Sequence, residues 1–338
     1  MKTLQFSNKD KMQCIGLGTW KAKGNKVKQA VKDALYAGYR HIDTAAAYDN
    51  ETDIGEALAE VFAEGKIFRE DVFITSKLWN NAHQDGQVLP ALQHSLDKLQ
   101  LEYLDLYLIH WPVAFKHGVN SPQKPSDYLS LEEVPIIETW KKMEQAKEAG
   151  MVRHIGVSNF SDIKLKDLVS KAKIKPEMNQ VELHPLLQQD DLLAYCKSEG
   201  IFMTAYSPLG SGDRSDAMKG KDEPNLLELE TIKKIARKHN ASEGQILISW
   251  HCHRGTAVIP KSTSTEHIEE NFKAARIELD ETDIKEIARL DECRRFITGE
   301  FFEEHSKGYT DIYDEKSPIL EGVREGISKV KSLFSTDE

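Results

Sequence analysis

The sequence predicts a (β/α)8 barrel of the TIM type, eight parallel strands each followed by a helix and closed into one domain. Three observations carry that expectation. Strand-like apolar runs alternate with helix-like stretches from about residue 16 onward, with no linker-like break in composition. Seven of the runs end in polar side chains: Asp43, Lys77, His110, Ser158 with Asn159, Gln180, Tyr206, and Lys261 with Ser262. A parallel barrel delivers every strand end to one face, so residues distant in sequence converge on a single cleft. That convergence is what points to an enzyme.

The elements follow in order. Residues 4–15 read as two short strands around Asn8-Lys9-Asp10, a hairpin ahead of the main fold. IGLGTW is the first barrel strand, and the stretch from about Lys26 to Ala37 is the first helix, with Gly38 placed as a C-cap. GYRHIDTA precedes a helix over residues 51–64, and VFITSKLW one over 87–99. LDLYLIHWP, a long polar loop and a helix over 136–149 ending at Gly150 make the fourth unit. HIGVSNF, MNQVELHP, FMTAYSPLG and GTAVIPKS lead the remaining four. Three loops are expected on the catalytic rim, where loops set substrate choice. They are 113–135, with Pro122, Pro125 and Pro135; 210–225, too rich in glycine and charge for a helix; and the tail 292–338. A doubly wound open sheet is the structural alternative.

Composition excludes several function classes. The 338 residues are 40% hydrophobic and 30% charged, with a formal net charge of -10, so no broad basic face is available for nucleic acid or acidic membrane. The start MKTLQFSNKDKMQ carries charges where a signal peptide would be apolar, so none is expected, and no apolar run approaches the roughly 18 residues of a membrane span. The cytoplasm is the expected location. Cys14, Cys196, Cys252 and Cys293 lack CxxC spacing and read as free buried thiols. His251-Cys252-His253 has the wrong spacing to place both rings on one helix face, so no metal site is expected. Gly16-Leu17-Gly18 is followed by Lys21, so the GxGxxG fingerprint is absent, as are the GxxxxGK[ST] phosphate loop and GxSxG elbow. A nucleotide would have to be held some other way.

Asp43, Tyr48, Lys77 and His110 make a chemically coherent group. A phenol with a pKa near 10 is a weak acid, and a neighbouring ammonium such as Lys77 should lower it. Asp43 would hold Lys77 charged and oriented, and His110 would orient a carbonyl oxygen. Such a site lacks an electron source, which a hydride-donating cofactor would supply. Singly, each has a plainer explanation: Asp43 a strand-end cap, Lys77 a surface ion-pair partner, His110 a core histidine.

Over residues 3–295 the sequence resembles the aldo-keto reductases, particularly their aldose and aldehyde reductase branch. GYRHIDTA with Tyr48, Glu51 and Gly55 matches the first family signature, MEQAKEAGMVRHIGVSNF the second, and IPKS at 259–262 the core of the third. The resemblance implies a (β/α)8 barrel whose bottom is closed by the hairpin. It implies Asp43, Tyr48, Lys77 and His110 as catalytic tetrad, with Tyr48 as proton donor in carbonyl reduction. It also implies NADPH as cofactor, with NADH a weaker alternative. Ser158, Asn159 and Gln180 would bind the nicotinamide carboxamide and Tyr206 stack on the ring. Thr19 and Trp20 would border it, and Ser207, Leu209 and Ser211 would wrap the pyrophosphate. Lys261, Ser262 and Thr263 would take the 2′-phosphate, with Glu270 and Asn271 near the adenine. The family usually has arginine where this chain has His267, and an imidazole offers no bidentate fork. Preference for NADPH should therefore be modest.

Trp20, Tyr48, Trp79, His110, Trp111 and Phe115 are expected to wall a pocket for a small carbonyl substrate. Asp213 and Arg214 read as solvated, although the family sometimes clamps the cofactor with the aspartate. Phe301 and Phe302 either seal the barrel or line the pocket. Two other functions compete: a cofactor-bound regulatory subunit, which would want a further N-terminal segment and an oligomer interface, and a structural protein that has lost activity. The intact tetrad argues against the second, and a monomeric reductase is the expectation, with a dimer as the alternative.

Overall fold

A computed structural model describes residues 2–303, apart from 215–218 and 221, together with 306 and 308–315. Strands β1 (Thr3–Gln5) and β2 (Lys11–Gln13) form the expected hairpin, paired antiparallel with Leu4 opposite Met12. Lys9 turns the chain at φ 76°, and Asn8 supports the turn by accepting from the Asp10 amide at 3.0 Å.

The alternation then begins with β3 (Leu17–Gly18), α1 (Asn25–Ala37), β4 (His41–Asp43) and α2 (Glu51–Ala63). It continues through β5 (Phe73–Leu78), α3 (Val88–Leu99) and β6 (Leu104–Ile109). The 113–135 loop holds a small antiparallel ladder of its own, β7 (Ala114–Phe115) with β8 (Tyr128–Leu129), which sequence had not suggested. Next come α4 (Ile136–Glu148), β9 (Val152–Ser158), α5 (Asp162–Lys171), β10 (Met178–Glu182), α6 (Asp190–Glu199) and β11 (Phe202–Tyr206). Two helices, α7 (Glu230–His239) and α8 (Glu243–Arg254), precede β12 (Ala257–Val258). Helices α9 (Thr265–Lys273), α10 (Glu281–Ala288) and the short α11 (Glu300–Glu303) follow it.

Eight strands lie parallel in the order β3-β4-β5-β6-β9-β10-β11-β12. The first and last meet: Gly16 N donates to Val258 O at 2.9 Å, Val258 N to Cys14 O at 2.7 Å, and Gly18 N to Pro260 O at 3.1 Å. Closure removes both sheet edges and leaves no unpaired ladder. Every residue of β5 and β6 is buried, because helices cover the outside while side chains fill the inside.

Local chemistry sets the helix ends. Gly38 adopts φ 109°, returning its amide to Ala34 and Leu35 as a C-cap. A Cβ on Gly55 would lie 2.3 Å from Lys98 O, so only glycine lets α2 pack this closely on α3. One helix per strand was the expectation, but residues 230–254 form two. Asn240, at φ 50°, ends the first, and a Ser242/Gln245 capping box opens the second. Cys14, Cys196 and Cys252 are buried as expected, whereas Cys293 is exposed because it lies at φ 50° in irregular chain beyond α10. His251 and Cys252 face the core and His253 faces solvent. Among the described residues no helix is long and apolar enough to cross a membrane.

Candidate active site

Asp43 is the last residue of β4, and the chain turns at once into the single-turn 3-10 helix Ala46–Tyr48. Asn50 pins that turn. Its Nδ2 donates to Thr19 O and Ala22 O, both at 2.9 Å, while its Oδ1 accepts from Thr44 at 3.0 Å. Tyr48 is thereby held over the strand ends. Lys77, next to last in β5, is fully buried and donates to Asp43 Oδ1 at 2.6 Å, to Thr44 O at 2.8 Å and to the Tyr48 hydroxyl at 3.4 Å. His110 follows β6, with its ring centroid 5.7 Å from that of Tyr48 and 5.2 Å from that of Trp79. All four expected residues therefore meet.

The electrostatics of this group differ from expectation at one point. Burial alone would depress the Lys77 ammonium, but Asp43 and Tyr48 outweigh it and its pKa is raised. Lys77 stays charged at neutral pH. Burial raises the Tyr48 pKa, and the opposing pull of Lys77 moderates that rise without reversing it. The expected net lowering is thus corrected: removal of the phenol from water is the larger effect. His110 is held well below the usual histidine range by burial, with Lys77 and His83 adding to it. Its imidazole is neutral, and its buried Nδ1 has no hydrogen-bond partner among the described residues.

A second group adjoins the first through Asp43. Gln180 Nε2 donates to Asp43 Oδ2 at 2.7 Å, so the carboxylate serves Lys77 with one oxygen and Gln180 with the other. Ser158 Oγ donates to Gln180 O at 2.8 Å. Asn159, in the left-handed region at φ 65°, donates to His110 O at 2.9 Å and to Ser158 Oγ at 3.2 Å, and accepts from the Tyr206 hydroxyl at 2.7 Å.

Both groups open into one cavity of about 1220 Å³, also bordered by Thr19, Trp20, Ser207, Leu209, Ser211 and Lys261. Lys261 donates to Asp213 Oδ2 at 2.7 Å, and Lys21 to Asp213 O at 2.9 Å. Asp213 is solvent-exposed as expected, yet it bridges Lys21 and Lys261 at the cavity edge. Arg214 is corrected: its side chain is buried, donates to Phe296 O at 2.7 Å and pairs with Glu223. Ser262, Thr263, His267, Glu270 and Asn271 lie outside the cavity lining, on α9 or the turn before it. Ser262 Oγ accepts from Ser264 N at 3.1 Å, and His267 N reaches Ser264 Oγ at 3.5 Å.

Trp79, Trp111 and Phe301 wall the cavity. Phe115 was expected there, but it is fully buried one layer back, edge-on to Trp79 at 5.8 Å and to Tyr128 at 5.2 Å. Phe302 is buried against Trp111 at 5.0 Å, so the two tail aromatics divide the roles of liner and seal. Tyr309 accepts from Ala114 N at 3.0 Å and donates to Leu129 O at 2.8 Å, fastening the tail to the β7–β8 ladder. The remainder of the expected tail, 316–338, lies outside the described residues. Sequence reading also missed Gln87, His94 and Lys98 of the α3 region, which border the cavity beyond Tyr48. Only their helical spacing on one side of α3 signals them.

Residues at the C-terminal ends of barrel strands, a buried ammonium beside a phenol, and a large cleft define an enzyme. The profile of the aldo/keto reductase family matches residues 14–292. An aldo/keto reductase of Synechocystis is 46% identical over 317 residues, 93% of this chain and 97% of that protein. Aldo-keto reductase family 1 member A1 of Gallus gallus is 45% identical over 292 residues, 86% of this chain and 89% of its own length. Member A1-A of Danio rerio is 41% identical over 321 residues, covering 94% and 98%. The chain belongs to the aldo/keto reductase family and is an NAD(P)H-dependent oxidoreductase.

Proposed function

We propose that the protein reduces aldehydes, open-chain aldoses and some ketones to alcohols with NADPH, Tyr48 donating the proton. The observation that carries this reading is the buried Asp43–Lys77–Tyr48 chain, at 2.6 and 3.4 Å, opening into the aromatic-walled cavity. The residues present fit a nicotinamide dinucleotide. Gln180 uses one N–H on Asp43 and borders the cavity, Tyr206 offers an aromatic plane, and Lys261 lies at the cavity edge. When bound, the cofactor would supply the hydride.

The chain's own residues do the rest. The phenol of Tyr48, protonated at neutral pH, would give its proton to the carbonyl oxygen as negative charge develops there. Lys77, held charged by Asp43, would stabilise the phenolate left behind. Neutral His110 would orient the carbonyl oxygen through the ring nitrogen that is not buried, and Trp79, Trp111 and Phe301 would exclude water. Lys261 supports a preference for the 2′-phosphate, but its pairing with Asp213 and the presence of His267 favour a modest one.

The test follows NADPH absorbance over a panel of aldoses, aromatic aldehydes, uronates and ketosteroids, with dissociation constants for NADPH and NADH. Turnover is expected, and Tyr48→Phe should lose about a hundredfold or more in kcat while NADPH affinity stays within about twofold. No turnover by wild type with any carbonyl would sink the reading. Retention by Tyr48→Phe of more than about a tenth of kcat would remove its proton-donor role.

A further inference from the structure

The C-terminal segment reaches the site from behind as well as from its rim. Glu182, at the end of β10, is fully buried, and its carboxylate accepts from Phe296 N at 2.7 Å, Ile297 N at 2.9 Å and His184 Nε2 at 2.9 Å. Arg295 pairs with Glu315 at 2.8 Å and lays its guanidinium over the Tyr313 ring, 3.6 Å from the centroid. Its Nε and Nη1 have no hydrogen-bond partner among the described residues, so the ring is the principal contact on that side. Asp314 fixes the same stretch to α5 through Lys164 at 2.7 Å and through Ser161. Tyr313 is thus carried in rigidly. Its hydroxyl donates to Ile297 O at 3.0 Å and lies 3.4 Å from Asn159 Oδ1, the atom that accepts from Tyr206 at 2.7 Å.

Asn159 therefore has both amide protons engaged, on His110 O and Ser158 Oγ, while its Oδ1 accepts from Tyr206 and has the Tyr313 hydroxyl beside it at 3.4 Å. An amide held at both its nitrogen and its oxygen has one orientation, and so does the Tyr206 ring tethered to it. We propose that Tyr313 and Arg295 are positioning residues for the nicotinamide pocket, coupling the docking of residues 295–303 and 308–315 to cofactor affinity through Asn159 and Tyr206. The inference rests on the reading of Asn159 and Tyr206 as nicotinamide contacts. It gives the C-terminal segment a part in cofactor binding, beyond the substrate choice expected of a rim loop.

The experiment compares the full-length wild type with Tyr313→Phe, Arg295→Met and Phe301→Ala. Tyr313→Phe keeps the ring and removes one hydroxyl; thermal melting checks that it folds. Its NADPH dissociation constant should rise about three- to tenfold, the loss of one hydrogen bond. Its kcat and aldehyde KM at saturating NADPH should stay within about twofold. Arg295→Met should shift in the same direction, whereas Phe301→Ala should change aldehyde KM and leave NADPH affinity alone. Coupling is reciprocal, so NADPH should slow hydrogen exchange at the Phe296 and Ile297 amides in wild type and much less in Tyr313→Phe. A purely structural tyrosine would lower the melting temperature without moving the exchange response. Wild type that binds NADPH while Tyr313→Phe matches it in affinity and exchange would overturn this inference alone. Wild type that fails to bind NADPH would overturn the reading of the site as well.

Discussion

At the floor of the barrel His154 is completely buried, with Nδ1 3.0 Å from Glu177 and Nε2 3.1 Å from Asp10, and Phe6 stacks on its ring with centroids 3.9 Å apart. At the roof Lys77 and Asp43 are equally buried and closer still, at 2.6 Å. The two clusters differ in what surrounds them. Asp10 belongs to the hairpin and Glu177 is paired again by Lys147, so the floor polar groups face one another under a plug of aromatic rings. The roof groups adjoin an open cavity that Asp43, Tyr48, His110 and Gln180 help to line. Burial and pairing alone do not make a site. A paired group becomes available for chemistry only where one of its faces remains open.

The sharpest test of this contrast is Lys77→Met. Removing the ammonium leaves Asp43 as an uncompensated buried charge, at a cost of about 3–5 kcal/mol, and removes the group that stabilises the Tyr48 phenolate. Both melting temperature and turnover should fall, with kcat down about a hundredfold or more. Unchanged turnover would mean that the roof pair is structural, like the floor pair.

Phe6→Ala makes the opposite comparison. Phe6 is 3% exposed, and truncating it should cost about 3–5 kcal/mol of stability by analogy with other core aromatic deletions. Measured well below its melting temperature, kcat/KM for an aldehyde should remain within about twofold. A parallel loss of activity would show that the floor transmits to the roof, breaking the contrast.

The smallest effect is expected from acid. For Asp10 and Glu177 burial pushes upward, but hydrogen bonds and opposite charge win, and both carboxyls lie below their ordinary values of 3.8 and 4.5. Depressed carboxylates contribute stability above those ordinary values and lose it as pH falls through the lower folded ones. Melting temperature should therefore be insensitive to this cluster near neutrality and decline with it below about pH 4.5. In Asp10→Asn/Glu177→Gln that part of the acid decline should flatten. A profile identical to wild type would show that the clamp contributes nothing measurable.

Much of the barrel was legible because each strand is a short apolar run and each helix is bounded by a cap or a glycine within a few residues. Gly38 and the Asn8-Lys9-Asp10 turn act locally, and local rules found them. The split into α7 and α8 depended equally on local signals, Asn240 and the Ser242/Gln245 box, but an expectation of one helix per strand obscured it. Strand-end position was enough to bring Asp43, Lys77, His110, Asn159, Gln180 and Tyr206 together, since parallel closure leaves those residues one face to share.

What the amino-acid order determined by itself is the periodicity, the capping and the list of polar strand ends, because these depend on neighbours a few positions apart. Only tertiary structure decided that Asp213 bridges Lys21 and Lys261, that Arg214 is buried on Phe296 O, and that Phe115 stands behind Trp79. It alone decided that burial outweighs Lys77 at the Tyr48 phenol, and that Tyr313 arrives beside Asn159 across 154 residues of chain. Ion pairing, desolvation and contacts between loops depend on distances in space, and chain separation carries no record of them until the barrel closes.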